Sequence, residues 1–219
     1  MRNPLRFTRT LPILLALAAG AAYAGEPVTN AATPDAAPAA LAIGATIPMA
    51  GVPMKGVDGK ETTIAAAAGK KGTLVVFSCN ACPWAQAWEQ RITQAGNTYS
   101  KKGVGVIVIN SNDPAKVADD GYEAMQARAK KLGMKFPYVV DATSDVARAF
   151  GATRTPEAYL FDAEGKLVYH GTIDDNAKEP AKVTQRYLDD ALQAVSSGKE
   201  VTLQETKALG CGIKFRTKA

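Results

Sequence analysis

The chain has 219 residues, of which 47% are hydrophobic and 21% charged, which suits one domain with a substantial core. Its formal net charge of +5 falls to +2 when the three arginines of the first nine residues are left out. No stripe of Lys and Arg interleaved with aromatic residues is present, so the composition argues against nucleic-acid binding.

The first 24 residues have the pattern of a secretory signal peptide. A basic segment (2–9) precedes a short apolar run (11–20), and Ala22-Tyr23-Ala24 supplies the small residues of a cleavage site. We therefore predict cleavage after Ala24 and a periplasmic or secreted mature protein with no stable membrane insertion. An uncleaved N-terminal anchor is the alternative, although the apolar run is short for a bilayer.

A leader and a single domain are predicted after the cleavage site. Residues 25–42 are rich in Ala and Pro without periodicity, which indicates a flexible leader, and residues 43–219 are predicted to form the domain and its cysteine-containing tail. Within the domain, Val57-Asp58-Gly59-Lys60 is typical of a hairpin turn, because Asp-Gly tolerates positive φ. Residues 65–72 are expected to form a weak helical turn or loop.

The next stretch carries the chemistry. Thr73–Phe77 is a β-branched and aromatic run expected of a central strand, and helical spacing of apolar residues begins at Pro83 and continues to about Tyr99. Cys79 and Cys82 lie on the turn between them. A helix N-terminus stabilises a thiolate through its unpaired N–H groups, so the pair is interpreted as a redox-active dithiol.

The elements that follow predict a mixed central sheet with helices on both faces. They are a strand at 104–109, a helix at 117–132 stopped by Gly133, a strand at 138–140, a helical turn at 145–150 capped by Ser144, a hairpin of strands 157–161 and 167–170, and a closing helix at 180–195. The remainder is a tail that contains Gly210-Cys211-Gly212, where the glycines suggest a flexible position for a thiol.

This order of elements resembles the thioredoxin fold, and more closely its peroxiredoxin-like branch, the alkyl hydroperoxide reductase/thiol-specific antioxidant-like proteins. The resemblance covers about residues 43–215. It rests on Phe77-Ser78-Cys79-Asn80-Ala81-Cys82-Pro83, Ile109-Asn110-Ser111-Asn112-Asp113, Phe136-Pro137-Tyr138-Val139-Val140-Asp141, Thr155-Pro156-Glu157-Ala158-Tyr159-Leu160-Phe161-Asp162, Gly171-Thr172-Ile173-Asp174-Asp175-Asn176 and Gly210-Cys211-Gly212-Ile213-Lys214.

The resemblance implies a cis peptide at Thr155-Pro156, packed beside the dithiol, and a substrate-binding role for these two residues. In thioredoxin-like proteins the residue before that proline offers its backbone to an extended substrate chain. An ordinary trans proline at the sheet edge is the alternative, since the isomer cannot be deduced from sequence.

The resemblance also implies thiol–disulfide exchange without a cofactor. Cys79, the more exposed cysteine by analogy, would attack a protein or small-molecule disulfide, Cys82 would resolve the mixed disulfide, and another dithiol protein would exchange electrons with the pair. An inert local disulfide or half of a zinc site is the structural alternative, but a zinc site needs ligands beyond one His and one further Cys. Neither the direction of the reaction nor the substrate follows from the spacing.

A peroxidase is the second hypothesis. Peroxiredoxins carry Thr-x-x-Cys-Pro at this turn, which would make Cys82 the peroxidatic thiol and Cys79 the resolving one. The arginine that this family places near the later hairpin is replaced here by Pro156. Arg154 lies two residues earlier, and a solvated loop charge explains it equally well.

Three further features have competing interpretations. His170, the only histidine, suggests a copper-binding or redox-sensing module, but copper-delivery proteins of this fold use CxxxC rather than CxxC. Cys211 is a candidate accessory redox thiol or a spare buried cysteine. Trp84 and Trp88, one helical turn apart, are expected to pack in the core, and residues 174–176 are equally explained as a turn with a helix cap.

Overall fold

The computed structural model of the protein describes residues 40–217, so the predicted signal peptide and most of the predicted leader lie outside the described residues. The strands are β1 (Met54–Gly56), β2 (Glu61–Thr62), β3 (Gly72–Phe77), β4 (Val104–Asn110), β5 (Tyr138–Val140), β6 (Arg154–Thr155), β7 (Glu157–Phe161), β8 (Leu167–Gly171) and β9 (Cys211–Gly212). The helices are α1 (Ile64–Ala67), α2 (Pro83–Tyr99), α3 (Tyr122–Leu132), α4 (Asp145–Phe150) and α5 (Tyr187–Ser196). None of the helices in this part of the chain is long and apolar enough to cross a membrane.

Within residues 40–217, seven strands form one mixed sheet in the order β2-β1-β5-β4-β3-β7-β8. β3 pairs in parallel with β4 and antiparallel with β7, and β4 pairs in parallel with β5. β3 is therefore an interior strand, as its uninterrupted apolar sequence predicts. The predicted α/β class and mixed sheet are confirmed.

Alternating residues of β3 enter two separate cores. Leu74 and Val76 pack in the core that includes residues of α2, α3 and α5, whereas Val75 and Phe77 pack in the core that includes residues of α1 and α4. Since neighbouring side chains of a strand point to opposite faces, the helices cover both faces of the sheet. This confirms the predicted arrangement of layers.

The central helix α2 has the bounds that the sequence predicts. Trp88, Ile92 and Tyr99 recur at helical spacing and are buried, and Pro83 occupies the first turn, where its missing N–H has no partner to lose. Truncation of a buried tryptophan costs about 3–5 kcal/mol, so Trp88 is a main anchor of this helix. The predicted turn at 57–60 also forms, with Gly59 at φ +83°.

Two helices begin later than the sequence predicts. The predicted helix 117–132 is broken by the extended Gly121, so α3 starts at Tyr122 after a separate 3-10 turn at Ala118–Asp120. The predicted helix 180–195 starts only at Tyr187, because Pro180 opens a 3-10 turn and the N–H of Thr184 donates to the carboxylate of Asp175 at 3.0 Å. Before α5 a side-chain acceptor thus replaces a helical carbonyl, whereas before α3 the extended backbone of Gly121 interrupts the helix.

The predicted cap of α4 is also wrong. Ser144 precedes the helix but has φ +59°, and its hydroxyl donates to the carbonyl of Ser111 at 2.8 Å. The helix is capped instead by Asp141, whose Oδ2 accepts from the N–H of Ala147 at 3.0 Å. A carboxylate from outside the helix therefore performs the role that the sequence assigns to Ser144.

The segment after α5 is held along its length by backbone pairing, which corrects the expectation of a flexible tail. Gln204 and Thr206 hydrogen-bond the backbone of His170 at 2.8 and 3.0 Å, and β9 pairs antiparallel with β6. At the other end of the described chain, Leu41 donates its N–H to the carbonyl of Phe150 at 3.2 Å.

A close approach between the loop after α1 and β4 gives a test of the fold. A Cβ on Gly105 would lie 2.0 Å from the carbonyl oxygen of Ala67 and 2.4 Å from the nitrogen of Gly69, and these backbone atoms cannot rotate aside. We expect Gly105→Ala to lower the free energy of unfolding by about 3 kcal/mol, as overpacking does. Urea denaturation measures the change. Gly51→Ala, which meets nothing within 4 Å, is the control, and equal midpoints for the two variants would contradict the packing.

Candidate active site

Cys79 and Cys82 lie where β3 passes to α2, with Cys82 as the N-cap residue of the helix. Both are reduced thiols, and both are buried: Cys79 is 7% exposed and Cys82 4%. Cys79 was expected to be the more exposed of the two, and it is, but the difference is small. Accessibility therefore does not separate their roles.

Thr155 contacts both sulfurs. Its hydroxyl lies 3.2 Å from Cys79 Sγ, and its carbonyl oxygen lies 3.0 Å from Cys82 Sγ. The peptide bond from Thr155 to Pro156 is cis, so the predicted isomer and its position beside the dithiol are confirmed. Two segments that are 73 residues apart in the chain thus meet at the thiol pair.

The electrostatics of the pair place negative charge on Cys82. A hydrogen bond from the Cys79 thiol, against the opposing effect of burial, lowers the pKa of Cys82 to about 4, with further bonds from the side chain of Cys211 and the backbone of Ala85. The same hydrogen bond to Cys82, together with burial, raises the pKa of Cys79. The hydrogen bond between the two thiols therefore favours the proton on Cys79, whereas the sequence favoured a thiolate at Cys79.

A buried carboxylate holds the loop that carries the thiols. Asp120 Oδ1 accepts from the N–H groups of Asn80 and Ala81 at 2.6 and 3.3 Å, and its Oδ2 accepts from the side chain of Asn112 at 2.8 Å. Asp120 is only 3% exposed, so these bonds replace its hydration. Asp120 was predicted only as part of the helix 117–132, because nothing local in the sequence indicates that its carboxylate is buried.

A second buried carboxylate holds the Thr155 segment. Glu157 Oε2 accepts from the N–H groups of Thr153 and Arg154 at 2.9 and 2.8 Å, and its Oε1 contacts the Tyr159 hydroxyl and His170 Nε2 at 2.9 and 2.7 Å. Burial opposes ionisation of Glu157, but the bonds from His170 and the backbone outweigh it and lower the pKa of the carboxyl. Glu157 too was missed by the sequence analysis.

The other residues that the sequence singled out lie in different surroundings. His170 is bound to Glu157 and stacks on Tyr159 with ring centroids 4.5 Å apart. Arg154 is exposed, which agrees with a solvated loop charge. In the part of the chain from 40 to 217, no three His, Cys, Asp or Glu side chains are arranged to hold a metal ion.

The two tryptophans of α2 differ in environment. Trp88 is fully buried and its indole N–H donates to Asp174 Oδ1 at 2.7 Å, whereas Trp84 is half-buried and packs against the cysteine cluster as well as the core. The expectation of core packing is confirmed for Trp88. Asp174 is buried and also pairs with Arg91, so it links α2 to the segment before α5.

Cys211 lies beside the pair, in a place that sequence spacing does not reveal. It is the partner of Thr155 in the β6–β9 ladder, and it packs against the small cluster of Cys79, Cys82 and Ala85. Burial and the hydrogen bond to Cys82 raise the pKa of Cys211 to about 11, so its thiol keeps its proton at neutral pH. All three cysteines of the chain are brought together.

Comparison with known proteins gives a family and a fold. The family model described as Redoxin matches residues 30–188. A solved structure of a hypothetical protein from Sinorhizobium meliloti 1021 is 32% identical, with a TM-score of 0.76, and the match covers 83% of this chain and 98% of that one. A thioredoxin-like protein solved in its oxidised form is 19% identical over 64% of this chain and 88% of its own, with a TM-score of 0.53, which bears on the fold alone.

Among proteins of known function, the chain is similar to the thiol-disulfide oxidoreductase ResA of Geobacillus thermodenitrificans. The two are 25% identical over 128 residues, which are 58% of this chain and 68% of that relative.

The lowered pKa of Cys82 predicts how the reduced protein titrates. A thiolate should persist as the pH falls from neutral and be lost only as it passes through about 4, whereas an ordinary thiol is already protonated below about 8. The ultraviolet absorbance of the thiolate and the rate of alkylation by iodoacetamide measure this. Cys82→Ser should abolish the signal at neutral pH. A titration midpoint near that of a free thiol would contradict the geometry.

The contacts of Asp120 predict that its charge stabilises the loop that carries Cys79 and Cys82. Asp120→Asn turns one side of the group into a donor that faces the Asn112 amide, whose own oxygen already accepts from the Lys214 N–H at 2.8 Å. We expect a loss of about 2–3 kcal/mol in the free energy of unfolding of the reduced protein, measured in urea. Asp119→Asn, at the exposed neighbouring position, should cost little, and equal losses in both variants would refute the role of Asp120.

Proposed function

The chain belongs to the Redoxin family, and on this premise we propose that it is an exported thiol–disulfide oxidoreductase whose redox centre is Cys79 and Cys82. The observation that carries the proposal is the contact of one residue, Thr155, with both sulfurs of a reduced pair at a helix N-terminus. Its likeness to a thiol-disulfide oxidoreductase over 128 residues supports the same reaction. Export rests on residues 1–24, which lie outside the described residues.

The pair can exchange its proton before it reacts. When the proton passes from Cys79 to Cys82 along the hydrogen bond between them, neutral Cys82 donates to the Thr155 carbonyl oxygen 3.0 Å away. The Cys79 thiolate is then the acceptor for the Thr155 hydroxyl, which lowers the pKa of Cys79 against the larger effects that raise it. Cys82 is thus the base that activates Cys79, and Thr155 stabilises the product of the transfer.

Exchange then takes place in two steps. The Cys79 thiolate attacks one sulfur of a substrate disulfide, forming a mixed disulfide and expelling the other substrate sulfur as a thiolate, which takes up a proton. Cys82, deprotonated again, attacks Cys79 in the mixed disulfide, forms the Cys79–Cys82 bond and expels the second substrate thiolate. The substrate gains two electrons and the pair loses them, and another dithiol protein restores the pair. No cofactor takes part in this cycle.

Thr155 and Pro156 are proposed to bind the substrate chain next to the sulfurs. The backbone of Thr155 can pair with an extended strand, as its pairing with β9 illustrates, and a substrate chain would displace β9 to use it. An extended segment that carries a disulfide would use the same pairing and bring its sulfur to Cys79. Protein or small-molecule disulfides and thiols are therefore the proposed substrates.

A thiol peroxidase is the second candidate, and the lowered pKa of Cys82 is the observation that favours it. The Cys82 thiolate would attack the peroxide, form a sulfenic acid and release an alcohol or water. The Cys79 thiol would then condense with it, forming the Cys79–Cys82 disulfide and releasing water. The exposed Arg154 gives this candidate no clear cation at the sulfur.

Single-cysteine variants test the assigned roles. Cys79→Ser should abolish reduction of insulin disulfides, because the attacking sulfur is gone. Cys82→Ser should also lose turnover, but it should accumulate a mixed disulfide on Cys79, because the resolving sulfur is missing. Non-reducing electrophoresis and mass spectrometry detect the adduct.

The outcome that would contradict exchange is retention of insulin reduction in both variants. Peroxide treatment of the Cys79→Ser/Cys211→Ser variant separates the second candidate, since Cys82 is then the only cysteine left and no other thiol of the same chain can consume its sulfenic acid. Rapid dimedone labelling of Cys82 in this variant would favour the peroxidase if the wild-type protein also reduces insulin no faster than the background reaction.

A further inference from the structure

A third thiol lies against the pair, and the exchange cycle makes no use of it. Cys211 is opposite Thr155 in the β6–β9 ladder, and the carbonyl oxygen of Thr155 lies 3.0 Å from Cys82 Sγ. Directly opposed residues of an antiparallel pair have Cα atoms about 4.5–5.5 Å apart, so the ladder fixes Cys211 close to Cys82. Cys211 packs in the same small cluster as Cys82.

The tail that carries Cys211 is fastened on both sides of it. Ile213 donates its N–H to the carbonyl of Thr153 at 3.0 Å. Lys214 donates its N–H to the side-chain oxygen of Asn112 and accepts from the N–H of Asp113, both at 2.8 Å. Gly210 passes so close to Thr155 that a Cβ there would lie 2.2 Å from the Thr155 carbonyl oxygen. A thiol held in place in this way meets its partner at a far higher effective concentration than one on a free chain.

Cys82 stands between the other two sulfurs. Hydrogen bonds to Cys82 affect the pKa of both Cys79 and Cys211, and Cys82 receives bonds from both of them. The arrangement therefore gives Cys82 two thiol neighbours.

We propose that Cys211 is a second disulfide partner of Cys82, so that the redox centre has three thiols and Cys82 exchanges its bond between Cys79 and Cys211. This rests on the proposed function, because it begins from the Cys79–Cys82 disulfide which that cycle produces.

The exchange balances without any further reactant. The Cys211 thiol loses its proton to water, and its thiolate attacks Cys82 in the Cys79–Cys82 disulfide. The sulfur–sulfur bond between Cys82 and Cys211 forms, the bond between Cys79 and Cys82 breaks, and the Cys79 thiolate that leaves takes up a proton. The protein as a whole is neither oxidised nor reduced, and Cys79 is free while the disulfide is kept.

Disulfide mapping of the full chain tests the proposal. Reduced Cys79→Ser is treated with the thiol oxidant diamide, its free thiols are counted after denaturation, and its peptides are mapped by mass spectrometry. We expect both remaining thiols to be lost together in a monomer that contains the Cys82–Cys211 disulfide. Two thiols that stay free, or disulfides that join separate chains only, would overturn the proposal.

Two controls locate the effect in the tail contact. Gly210→Ala in the Cys79→Ser background should slow formation of the Cys82–Cys211 disulfide about tenfold, because a displacement of order 1 Å already costs up to about 100-fold in such reactions. Leu209→Ala, at a largely exposed neighbouring side chain, should leave the rate unchanged. Equal rates in the two variants would refute the contact. In Cys82→Ser, formation of a Cys79–Cys211 disulfide at the same rate would refute Cys82 as the shared partner.

The wild-type protein provides a test that does not depend on the folding of variants. After oxidation and an acid quench, alkylation should mark both Cys79 and Cys211 across the population, whereas a label on Cys211 alone would overturn the exchange step. These mapping results do not require any activity on substrates. If the Cys82–Cys211 disulfide forms but the protein does not reduce insulin, the proposed function alone is refuted. If the protein reduces insulin but that disulfide does not form, the three-thiol centre alone is refuted.

Discussion

The position of Thr155 is the constraint on which the site depends. Its hydroxyl and its carbonyl oxygen each face one sulfur, at 3.2 and 3.0 Å, and its backbone is the partner of Cys211. Three thiols from two distant parts of the chain therefore lie around one residue. A displacement of Thr155 would change its contacts with all three cysteines at the same time, so the loop around it must be held rigidly.

Two buried carboxylates provide that rigidity on either side of the thiols. The loop that carries Cys79 and Cys82 and the segment before Thr155 are not part of long strands. Their backbone N–H groups must therefore find acceptors other than a neighbouring strand. Asp120 accepts two of them on one side and Glu157 two on the other. A buried charge is tolerated only when it is bonded in this way, so each carboxylate and its loop hold each other in place. The cost of displacing a loop then includes an unpaired buried charge.

The sequence predicts those features that depend on contacts between residues close together in the chain. The bounds of α2 were predictable, because Pro83 and the spacing of Trp88 and Ile92 are written in consecutive turns. The late start of α5 was not, because it depends on an acceptor nine residues away that competes with the helix. Asp120 gave no local signal, and Cys211 could be singled out as a thiol but not placed beside Thr155, since both positions depend on where separate segments meet. The thiol pair of Cys79 and Cys82 was predictable, but the lowering of the pKa at Cys82 rather than at Cys79 was not.

The tail that brings Cys211 to Cys82 also controls access to the sulfurs. Cys79 and Cys82 are 7% and 4% exposed, and β9 occupies the backbone edge of Thr155 that a substrate chain would use. The strand has only two residues, and each of its hydrogen bonds contributes about 1 kcal/mol, so a substrate can displace the strand itself at modest cost while the bonds of Ile213 and Lys214 keep the tail attached. A Cys82–Cys211 disulfide would remove that option by tying the strand to the helix. The two disulfide isomers would therefore differ in access as well as in which sulfur is free. In the Cys79–Cys82 isomer a substrate can displace β9 from the edge of Thr155, whereas in the Cys82–Cys211 isomer β9 keeps that edge covered.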